Sequence, residues 1–273
     1  MKTAVIVTTY NRPDALRAVL KSLLNQTVAA DEVIIADDGS TQATADCIAE
    51  FQERLPLKHA WQADQGFRAG AARNMAVARS HAPYMLFLDG DCIVQPDFIE
   101  KHLRLAEPGW FVAGNRILLS TELTQRVLSS EETITEWSTL QWLWQSCLGH
   151  CNRWLPLLYV PGQSWRKQRP ARWQQARTCN LAIWRQDFER VNGFDEIYSG
   201  WGHEDADLAV RLIRQGVFHK EGRFATAVFH LWHTENDRSH TLENASRLQT
   251  ILNSQVIRAK LGLEQHLDSH LKI

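Results

Sequence analysis

The sequence has little net charge, no long hydrophobic run and no regular cysteine pattern. Its 30 basic and 31 acidic residues give a net charge of -1, which removes the long-range attraction that non-specific nucleic-acid binding needs, so we expect no nucleic-acid partner. The N-terminal apolar run, residues 4–7, is too short for a signal-peptide core, and no stretch approaches the length of a membrane span. Five cysteines without a disulfide-framework spacing favour reduced thiols and a cytoplasmic location.

Two common nucleotide-binding motifs are also missing. No Gly-x-Gly-x-x-Gly follows the first predicted strand, and no phosphate-loop lysine is present, which excludes an ordinary Rossmann or P-loop enzyme. With 273 residues, of which 44% are hydrophobic and 22% charged, the chain can nevertheless bury a core without disulfides. The unusual number is 11 Trp, because six of them fall between Trp137 and Trp173.

Strand and helix patterns alternate along the first third of the chain. Predicted strands cover 4–9, 32–36, 57–61 and 84–88, and predicted helices begin near Pro13 and cover 41–54 and 71–79. This alternation predicts an α/β fold with a mostly parallel sheet. Such sheets bind ligands beyond the carboxyl ends of their strands, so the polar groups that follow the first, second and fourth strands should converge.

The second half shows weaker periodicity. It predicts one strand over 110–119, a Trp-, Arg- and Gln-rich stretch over 121–175, and regular structure again from 180 to 184. A short helix over 186–191, a helix ending at Gln215, a strand over 223–229 and a helical tail from Leu242 complete the prediction.

Asp89-Gly90-Asp91 places two carboxylates one residue apart at the end of a buried strand. Holding two like charges together is costly unless a cation lies beside them, and a divalent metal that carries a diphosphate would relieve the repulsion. A solvated acidic turn is the alternative.

His230-Leu231-Trp232-His233 follows an apolar strand directly. Two imidazoles at this spacing can bind one metal ion if the segment forms a turn. The alternative is one packed histidine and one surface histidine.

Gly200-Trp201-Gly202 leads into a helix whose first turn carries Glu204, Asp205 and Asp207. The helix dipole stabilises acids there, so capping alone could explain them. Asp205, however, shares a helical stripe with apolar residues, whereas Asp207 lines up with Arg211 on another. We therefore expect Asp205 to be the partly buried acid, with a raised pKa that suits a general base.

Together these segments resemble family 2 inverting glycosyltransferases. The matching pieces are VIVTTYNRP (5–13), ADDGS (36–40), GAARN (70–74) and LDGDC (88–92), while GWGHEDADL (200–208) is similar to β-1,4-galactosyltransferases and chondroitin-polymerase-type enzymes. The resemblance implies a GT-A fold, a mostly parallel central sheet flanked by helices, here with a Trp-rich helical insertion.

The resemblance also implies roles for individual residues. The donor nucleotide would be bound by residues at the strand ends, namely Thr8, Tyr10, Arg12, Asp37 and Asp38 for the nucleoside and Arg73 and Asp89 for ribose and diphosphate. Asp37 in particular would accept a hydrogen bond from the uracil. A metal ion would be bound by Asp89, Asp91, His230 and His233, and mixed imidazole and carboxylate ligands favour Mn²⁺ over Mg²⁺. Asp205 would be the catalytic base and Glu204 an acceptor-binding carboxylate.

These assignments predict an inverting, metal-dependent transfer of a sugar from a UDP-sugar to a saccharide or glycolipid acceptor in bacterial surface polysaccharide or lipopolysaccharide synthesis. Residues 1–119 would bind the nucleotide sugar, 120–177 form the Trp-rich insertion, 178–241 form the acceptor and catalytic half, and 242–273 form a helical tail. A non-catalytic nucleotide-sugar-binding subunit and a sugar nucleotidyltransferase are the alternatives.

The role of the Trp-rich segment stays open at this stage. Its indole rings could stack on an acceptor sugar, with Trp142 and Trp144 as candidates. The basic residues between 153 and 172 could instead favour peripheral contact with the inner face of the plasma membrane. Filling of a second core or a homodimer contact are the remaining interpretations.

Overall fold

The computed structural model describes residues 1–129, 132–234 and 239–267. Its strands are β1 Thr3–Thr9, β2 Glu32–Asp37, β3 Leu57–Trp61, β4 Tyr84–Asp89, β5 Cys92–Val94, β6 Trp110–Ala113, β7 Arg116–Leu118, β8 Asn180–Trp184, β9 Phe218–Glu221 and β10 Val228–His230. Its α-helices are α1 Pro13–Leu24, α2 Gln42–Ala49, α3 Ala69–Ala78, α4 Phe98–Leu105, α5 Thr121–Leu128, α6 Thr139–Cys147, α7 Arg185–Arg190, α8 Glu204–Arg214, α9 Thr241–Leu252 and α10 Glu264–Leu267.

The described strands form a seven-stranded sheet in the order β3-β2-β1-β4-β8-β6-β9 and a three-stranded sheet in the order β5-β10-β7. The first four strands of the large sheet are parallel, β8 is antiparallel to both β4 and β6, and β9 is parallel to β6. The prediction of an α/β fold with a mostly parallel central sheet is therefore confirmed.

Both faces of the large sheet are buried. On β1, Val5 and Val7 belong to one apolar cluster and Ala4 and Ile6 to the other, because successive side chains point to opposite faces of a strand. Helices cover the parallel sheet on both sides, so side chains on both faces of its central strands are buried. This is why these strands are continuous apolar runs in the sequence.

The small sheet fixes the segment around Asp91. In it, His230 of β10 is paired with Cys92 of β5 and with Leu118 of β7. The backbone N–H of Leu231 donates a hydrogen bond of 2.9 Å to the carbonyl of Asp91. The histidine segment and the acidic turn are therefore held together by main-chain hydrogen bonds.

The prediction of one strand over 110–119 is wrong, because the chain passes there from the large sheet to the small one. β6 ends at Ala113 and β7 begins at Arg116. Between them Gly114 packs on the side chain of Asn180 so closely that a Cβ would lie 2.2 Å from Asn180 Nδ2.

The prediction of a strand over 223–229 is also wrong in its extent. Phe224 has φ of 61°, a left-handed conformation that is incompatible with a strand, and pairing begins only at Val228. Strand β9 was not predicted because it reads Phe-His-Lys-Glu. Its Lys220 is nevertheless buried, and donates hydrogen bonds of 2.7 Å to the carbonyl of Leu105 and 3.0 Å to Glu107 Oε2.

The Trp-rich segment packs against the main core through a few anchors. Trp142 is 1% exposed and stacks on Phe229 with ring centroids 4.4 Å apart and planes 8° apart. Cys151 joins the same cluster as Val5 and Val7. Among the helices of the described residues, none combines the length and apolar composition that crossing a membrane requires. The tail is helical over α9 and α10, and residues 268–273 lie outside the described range.

Candidate active site

Polar side chains converge at the carboxyl edge of the parallel strands, as the sequence predicts. Thr8 of β1 is paired with Asp89 of β4, and Thr9 is paired with Asp37 of β2. After β4 the chain turns sharply, because the N–H of Gly90 donates to the carbonyl of Thr8 over 2.7 Å. A Cβ on Gly90 would lie 2.9 Å from that carbonyl oxygen, so this position requires glycine.

Tyr10, Arg12 and Asp38 line the cavity at the end of β1 and β2. Tyr10 Oη donates a hydrogen bond of 2.9 Å to Asp64, and this bond raises the pKa of the phenol. Asp38 accepts hydrogen bonds of 2.6 Å from Gln62 Nε2 and from the Arg68 N–H. Its burial raises the pKa of the Asp38 carboxyl. These three predicted residues thus lie where a nucleoside would bind.

Asp37 is placed differently from this group. Its side chain is fully buried, Oδ1 accepts a hydrogen bond of 2.8 Å from the Ser40 N–H, and Oδ2 lies 2.8 Å from His59 Nε2. Both oxygens are therefore engaged by the protein, and Asp37 organises the turn after β2. Its predicted hydrogen bond to uracil is not favoured by this placement, because Asp37 is fully buried and does not line the cavity, whereas Asp38 does.

Arg73 of α3 connects the two halves of the site. Its guanidinium donates hydrogen bonds of 2.9 Å to Thr8 Oγ1, 3.1 Å to Glu204 Oε1 and 3.3 Å to Asp89 Oδ1. Arg73 is 4% exposed, so these contacts form in a largely desolvated environment where charge-assisted bonds are strong. The residue thereby ties the edge of β1 and β4 to the first turn of α8.

Asp91 lies between the two predicted histidines. His230 Nε2 is 3.7 Å from Asp91 Oδ1, and His233 Nε2 is 3.4 Å from Oδ2. His233 Nδ1 lies 2.7 Å from the carbonyl of Thr234, a contact that places the proton on Nδ1 and leaves Nε2 as a lone-pair donor. One carboxylate with two imidazoles beside it fits a divalent transition metal, and the tighter group of possible ligand atoms contains His230 but not His233.

The thiol of Cys92 belongs to the same cluster. Ligand atoms of Asp91, Cys92 and His230 lie within 4.8 Å of one another. Asp89, which we also predicted as a metal ligand, instead bonds to Arg73, and burial raises its pKa while Arg73 opposes that rise. The sequence analysis did not assign a role to Cys92, although its position directly after Asp91 was visible.

The segment before α8 places Glu204 and Asp205 in the cavity. Gly200 and Gly202 have φ of 73° and 109°, and His203, which precedes the helix, has φ of 76°. Glu204 bonds to Arg73, while Asp205 Oδ1 accepts a hydrogen bond of 2.7 Å from the Ala206 N–H. Burial, followed by the neighbouring charge of Glu204, raises the pKa of Asp205 to about 7. A carboxyl with this pKa is suited to accept a proton near neutral pH.

Asp205 is partly buried with a raised pKa, as expected, but it is not the most buried acid of α8. Asp207 is fully buried and accepts a hydrogen bond of 2.6 Å from Arg211, which is equally buried and also bonds to two backbone carbonyls. Asp205 is only partly buried and lines the cavity. The Asp207–Arg211 pair anchors α8, and the N-terminal position of Asp205 directs its side chain to the cavity.

One cavity of about 660 Å³ joins these groups. Its lining includes Thr8, Tyr10, Arg12, Asp38, Arg73, Asp89, Asp91, Glu204, Asp205, His230 and His233. It also includes residues for which the sequence analysis proposed no role, namely Arg116, Trp173, Arg177, Trp201 and Trp232. Three of them had a signal in the sequence: Trp201 lies within GWGHED, Trp232 lies between the two predicted histidines, and Trp173 ends the Trp-rich segment.

The two tryptophans considered as an acceptor platform lie elsewhere. Trp142 is buried against Phe229, so its ring faces are unavailable to a sugar. Trp144 lines a separate groove with Trp137 and Leu140. The tryptophans that line the main cavity are Trp173, Trp201 and Trp232.

Comparison with curated proteins finds relatives that are polysaccharide synthases and a glucosyltransferase. The chain is 30% identical over 226 residues to validoxylamine A glucosyltransferase of Streptomyces hygroscopicus subsp. jinggangensis, which covers 78% of this chain and 52% of that protein. It is 27% identical to chondroitin synthase of Escherichia coli, over 82% of this chain and 34% of that protein. The identity to hyaluronan synthase of Pasteurella multocida is 26%, over 80% of this chain and 23% of that protein. The chain thus spans about half or less of these relatives.

Solved structures share the fold. Staphylococcus aureus TarS 1-349 in complex with UDP-GlcNAc superposes with a TM-score of 0.62 at 15% identity, covering 99% of this chain and 72% of TarS 1-349. The mannosyltransferase PcManGT of Pyrobaculum calidifontis, in complex with GDP-Man and Mn²⁺, superposes with a TM-score of 0.59 at 16% identity. The match covers 98% of this chain and 68% of PcManGT. The chain has the GT-A fold that the sequence predicts.

Two family models match consecutive parts of the sequence. The model described as N-terminal domain of galactosyltransferase matches residues 163–234, which contain α8 and the histidine segment. The model described as Glycosyl transferase family 2 matches residues 4–169, more than half of the chain. The chain therefore belongs to glycosyl transferase family 2.

Proposed function

We propose that the protein transfers a sugar from a UDP-sugar to a saccharide acceptor, with inversion at the anomeric carbon and with a divalent metal ion. The observation that carries this proposal is the placement of Asp91, with its two imidazoles, and Asp205, with its raised pKa, in one cavity. The names of the relatives and the UDP-GlcNAc, GDP-Man and Mn²⁺ complexes of the structural neighbours support it.

The donor would occupy the carboxyl edge of β1, β2 and β4. Tyr10 would stack on the base, Asp38 would accept a hydrogen bond from it, and Arg12 and Arg73 would face the ribose and diphosphate. Asp91, His230 and His233 would hold Mn²⁺ or Mg²⁺, and the imidazole donors favour Mn²⁺ over Mg²⁺. The bound ion supplies positive charge that stabilises the departing diphosphate.

The acceptor would enter beside α8. Asp205 takes the proton from the attacking hydroxyl as that oxygen bonds to C1 and the C1–O bond to the diphosphate breaks. Glu204, held by Arg73, accepts a hydrogen bond from a neighbouring acceptor hydroxyl. Trp201 and Trp232 offer indole surfaces for the apolar face of a sugar. Attack from the face opposite the leaving group, in one displacement, inverts the configuration.

The acceptor is a growing saccharide or glycolipid, which places the enzyme in bacterial surface polysaccharide or lipopolysaccharide synthesis on the cytoplasmic side. Polysaccharide synthases among the relatives support this assignment. The five cysteines are unpaired, as a reducing compartment requires.

A panel of UDP-sugars with Mn²⁺, scored by thermal shift and then by UDP release, tests the proposal. A bound donor raises Tm by mass action, and UDP release should rise when a saccharide acceptor is added. Donor binding without acceptor-dependent UDP release would favour a non-catalytic binding subunit. Release of pyrophosphate from a sugar phosphate and UTP would favour a nucleotidyltransferase, although the Thr9–Pro13 turn lacks the Gly-rich basic loop of that class.

A further inference from the structure

The segment from Leu140 to Val160 has an apolar outer surface. Leu140 and Trp144, one turn apart on α6, are 77% and 62% exposed. The other exposed apolar side chains of this segment are Leu143, Leu148, Leu155, Leu158, Tyr159 and Val160. The inward positions are already filled by Trp142, Cys151 and Pro156, so the outer side chains contribute nothing to the core. We call residues 140–160 the apolar segment.

Along the sequence the charge that accompanies the apolar segment is mostly basic, although Glu132 lines the groove that Leu140 and Trp144 form. No Asp or Glu occurs between Glu136 and Asp187, whereas seven Lys or Arg do, in a chain whose net charge is -1. Among them Arg153 and Arg169 are exposed, and neither side chain has an ion pair within the described ranges. Lys167 is bound to Glu107, so it contributes less free charge.

The apolar segment lies next to the mouth of the active-site cavity. The N–H of Leu118, a residue that lines the cavity, donates a hydrogen bond of 3.0 Å to Asn152 Oδ1, and the N–H of Asn152 donates one of the same length to the carbonyl of Leu118. Trp142, which anchors α6, stacks on Phe229, the residue before His230. A surface that receives this segment would therefore lie beside the acceptor side of the cavity.

We propose that the apolar segment, with Arg153 and Arg169, binds the surface of a bilayer that contains anionic lipids. Trp, Tyr and Leu side chains partition into the headgroup and acyl boundary, and arginines beside them are attracted to anionic headgroups. A second copy of the chain is a poorer occupant, because a two-fold contact would bring two cationic surfaces together. This inference goes beyond the proposed function, since membrane binding does not depend on which reaction the cavity performs.

Vesicle co-sedimentation tests the proposal without any activity measurement. The full chain is mixed with vesicles of equal parts phosphatidylglycerol and phosphatidylcholine, and with vesicles of phosphatidylcholine alone. We expect binding to the anionic vesicles that weakens as salt is added, and a bound fraction about tenfold lower for the neutral vesicles.

Matched variants separate the apolar contribution to vesicle binding from the electrostatic one. Leu140→Ser with Trp144→Ser should abolish binding, and Arg153→Gln with Arg169→Gln should weaken it and remove its salt dependence. Leu242→Ser is the control, because Leu242 is 86% exposed on α9, outside the apolar segment. All five positions are exposed, so the thermal unfolding of the variants should match the parent.

Three results would overturn the proposal. The first is absence of binding to anionic vesicles, and the second is equal loss of binding in the Leu242→Ser control. The third is a concentration-dependent dimer, measured by light scattering, that the Leu140→Ser and Trp144→Ser substitutions dissolve, since a second copy would then cover the segment.

Discussion

The cavity contains two acidic pairs, and their surroundings differ. Asp89 and Asp91 flank Gly90 at the end of β4, whereas Glu204 and Asp205 begin α8. Arg73 bonds to one member of each pair, Asp89 over 3.3 Å and Glu204 over 3.1 Å. It leaves Asp91 and Asp205 free for chemistry.

The groups that surround Asp91 and Asp205 differ, and they determine what chemistry each carboxylate can support. Asp91 lies within 3.7 Å and 3.4 Å of two imidazole nitrogens, which is a donor set for a metal ion. Among the described residues Asp205 accepts a hydrogen bond from the backbone N–H of Ala206, while burial and Glu204 raise its pKa to about 7. Under the proposed function, two residues of the same type would thus take different roles because their environments differ.

The largest expected effect comes from Asp205→Asn. Removing the proton acceptor should lower kcat by roughly 10²- to 10⁴-fold, the usual contribution of a general base, while donor binding stays near the parent value. Steady-state kinetics with a saccharide acceptor measure this. Asp46→Asn, at an exposed position of α2, is the control and should keep parental turnover.

Arg73→Met should remove the ion-pair partner of both acidic pairs at once and so destabilise the fold. Arg73 pairs with both Asp89 and Glu204, and loss of the buried cation leaves these two carboxylates uncompensated, at a cost of about 3 kcal/mol in the free energy of unfolding. Urea unfolding monitored by tryptophan fluorescence gives that value. The exposed Arg17, which pairs with Glu50, provides the matched Arg17→Met control, for which little change is expected. Equal destabilisation of both variants would show that Arg73 does not join the pairs.

His230→Ala and His233→Ala should each weaken Mn²⁺ binding by about tenfold or more, because each removes one of the imidazole donors that face Asp91. Electron paramagnetic resonance of free Mn²⁺ during titration measures the affinity. His81→Ala removes an exposed imidazole far from the cavity lining and serves as the control. Unchanged affinity in both site variants would remove the histidines from the metal site.

The smallest expected effects are opposite shifts in the pH profile. Asp205 must be ionised to accept a proton, so kcat/KM should fall tenfold per pH unit below about 7. Glu204 raises the pKa of Asp205 and Arg177 lowers it. Glu204→Gln should therefore move this acid limb to lower pH, and Arg177→Gln should move it to higher pH, each by less than about one unit. Shifts in the same direction would refute the assignment of the limb to Asp205.

The sequence was sufficient for the central sheet and for the main polar groups. Apolar runs such as Tyr84–Leu88 define buried strands, and polar residues directly after them must lie at one edge of a parallel sheet. Asp205 followed from its helical stripe and Arg73 from the family resemblance, and the structure brings Arg73 to the first turn of α8 through Glu204.

The predictions of strands and of buried residues were wrong where long-range contacts override the local hydrophobic pattern of the sequence. Lys220 and Glu221 are buried in β9, which no local hydrophobicity reveals, and Gly114 separates β6 from β7 because Asn180 packs against it. Asp207 is buried because Arg211, one turn later, compensates its charge. The contacts that engage Asp37, a bond from its own turn and one from His59 on the neighbouring strand, are equally invisible without the fold.

Calorimetric titration of UDP in the presence of Mn²⁺, carried out on the parent, Asp91→Asn and Asp205→Asn, tests the division of labour between the two free carboxylates most directly. We expect Asp205→Asn to bind UDP with parental affinity and Asp91→Asn to lose the Mn²⁺-dependent part of that affinity. Parental, Mn²⁺-dependent binding by Asp91→Asn, or loss of UDP binding in Asp205→Asn, would contradict this division of labour.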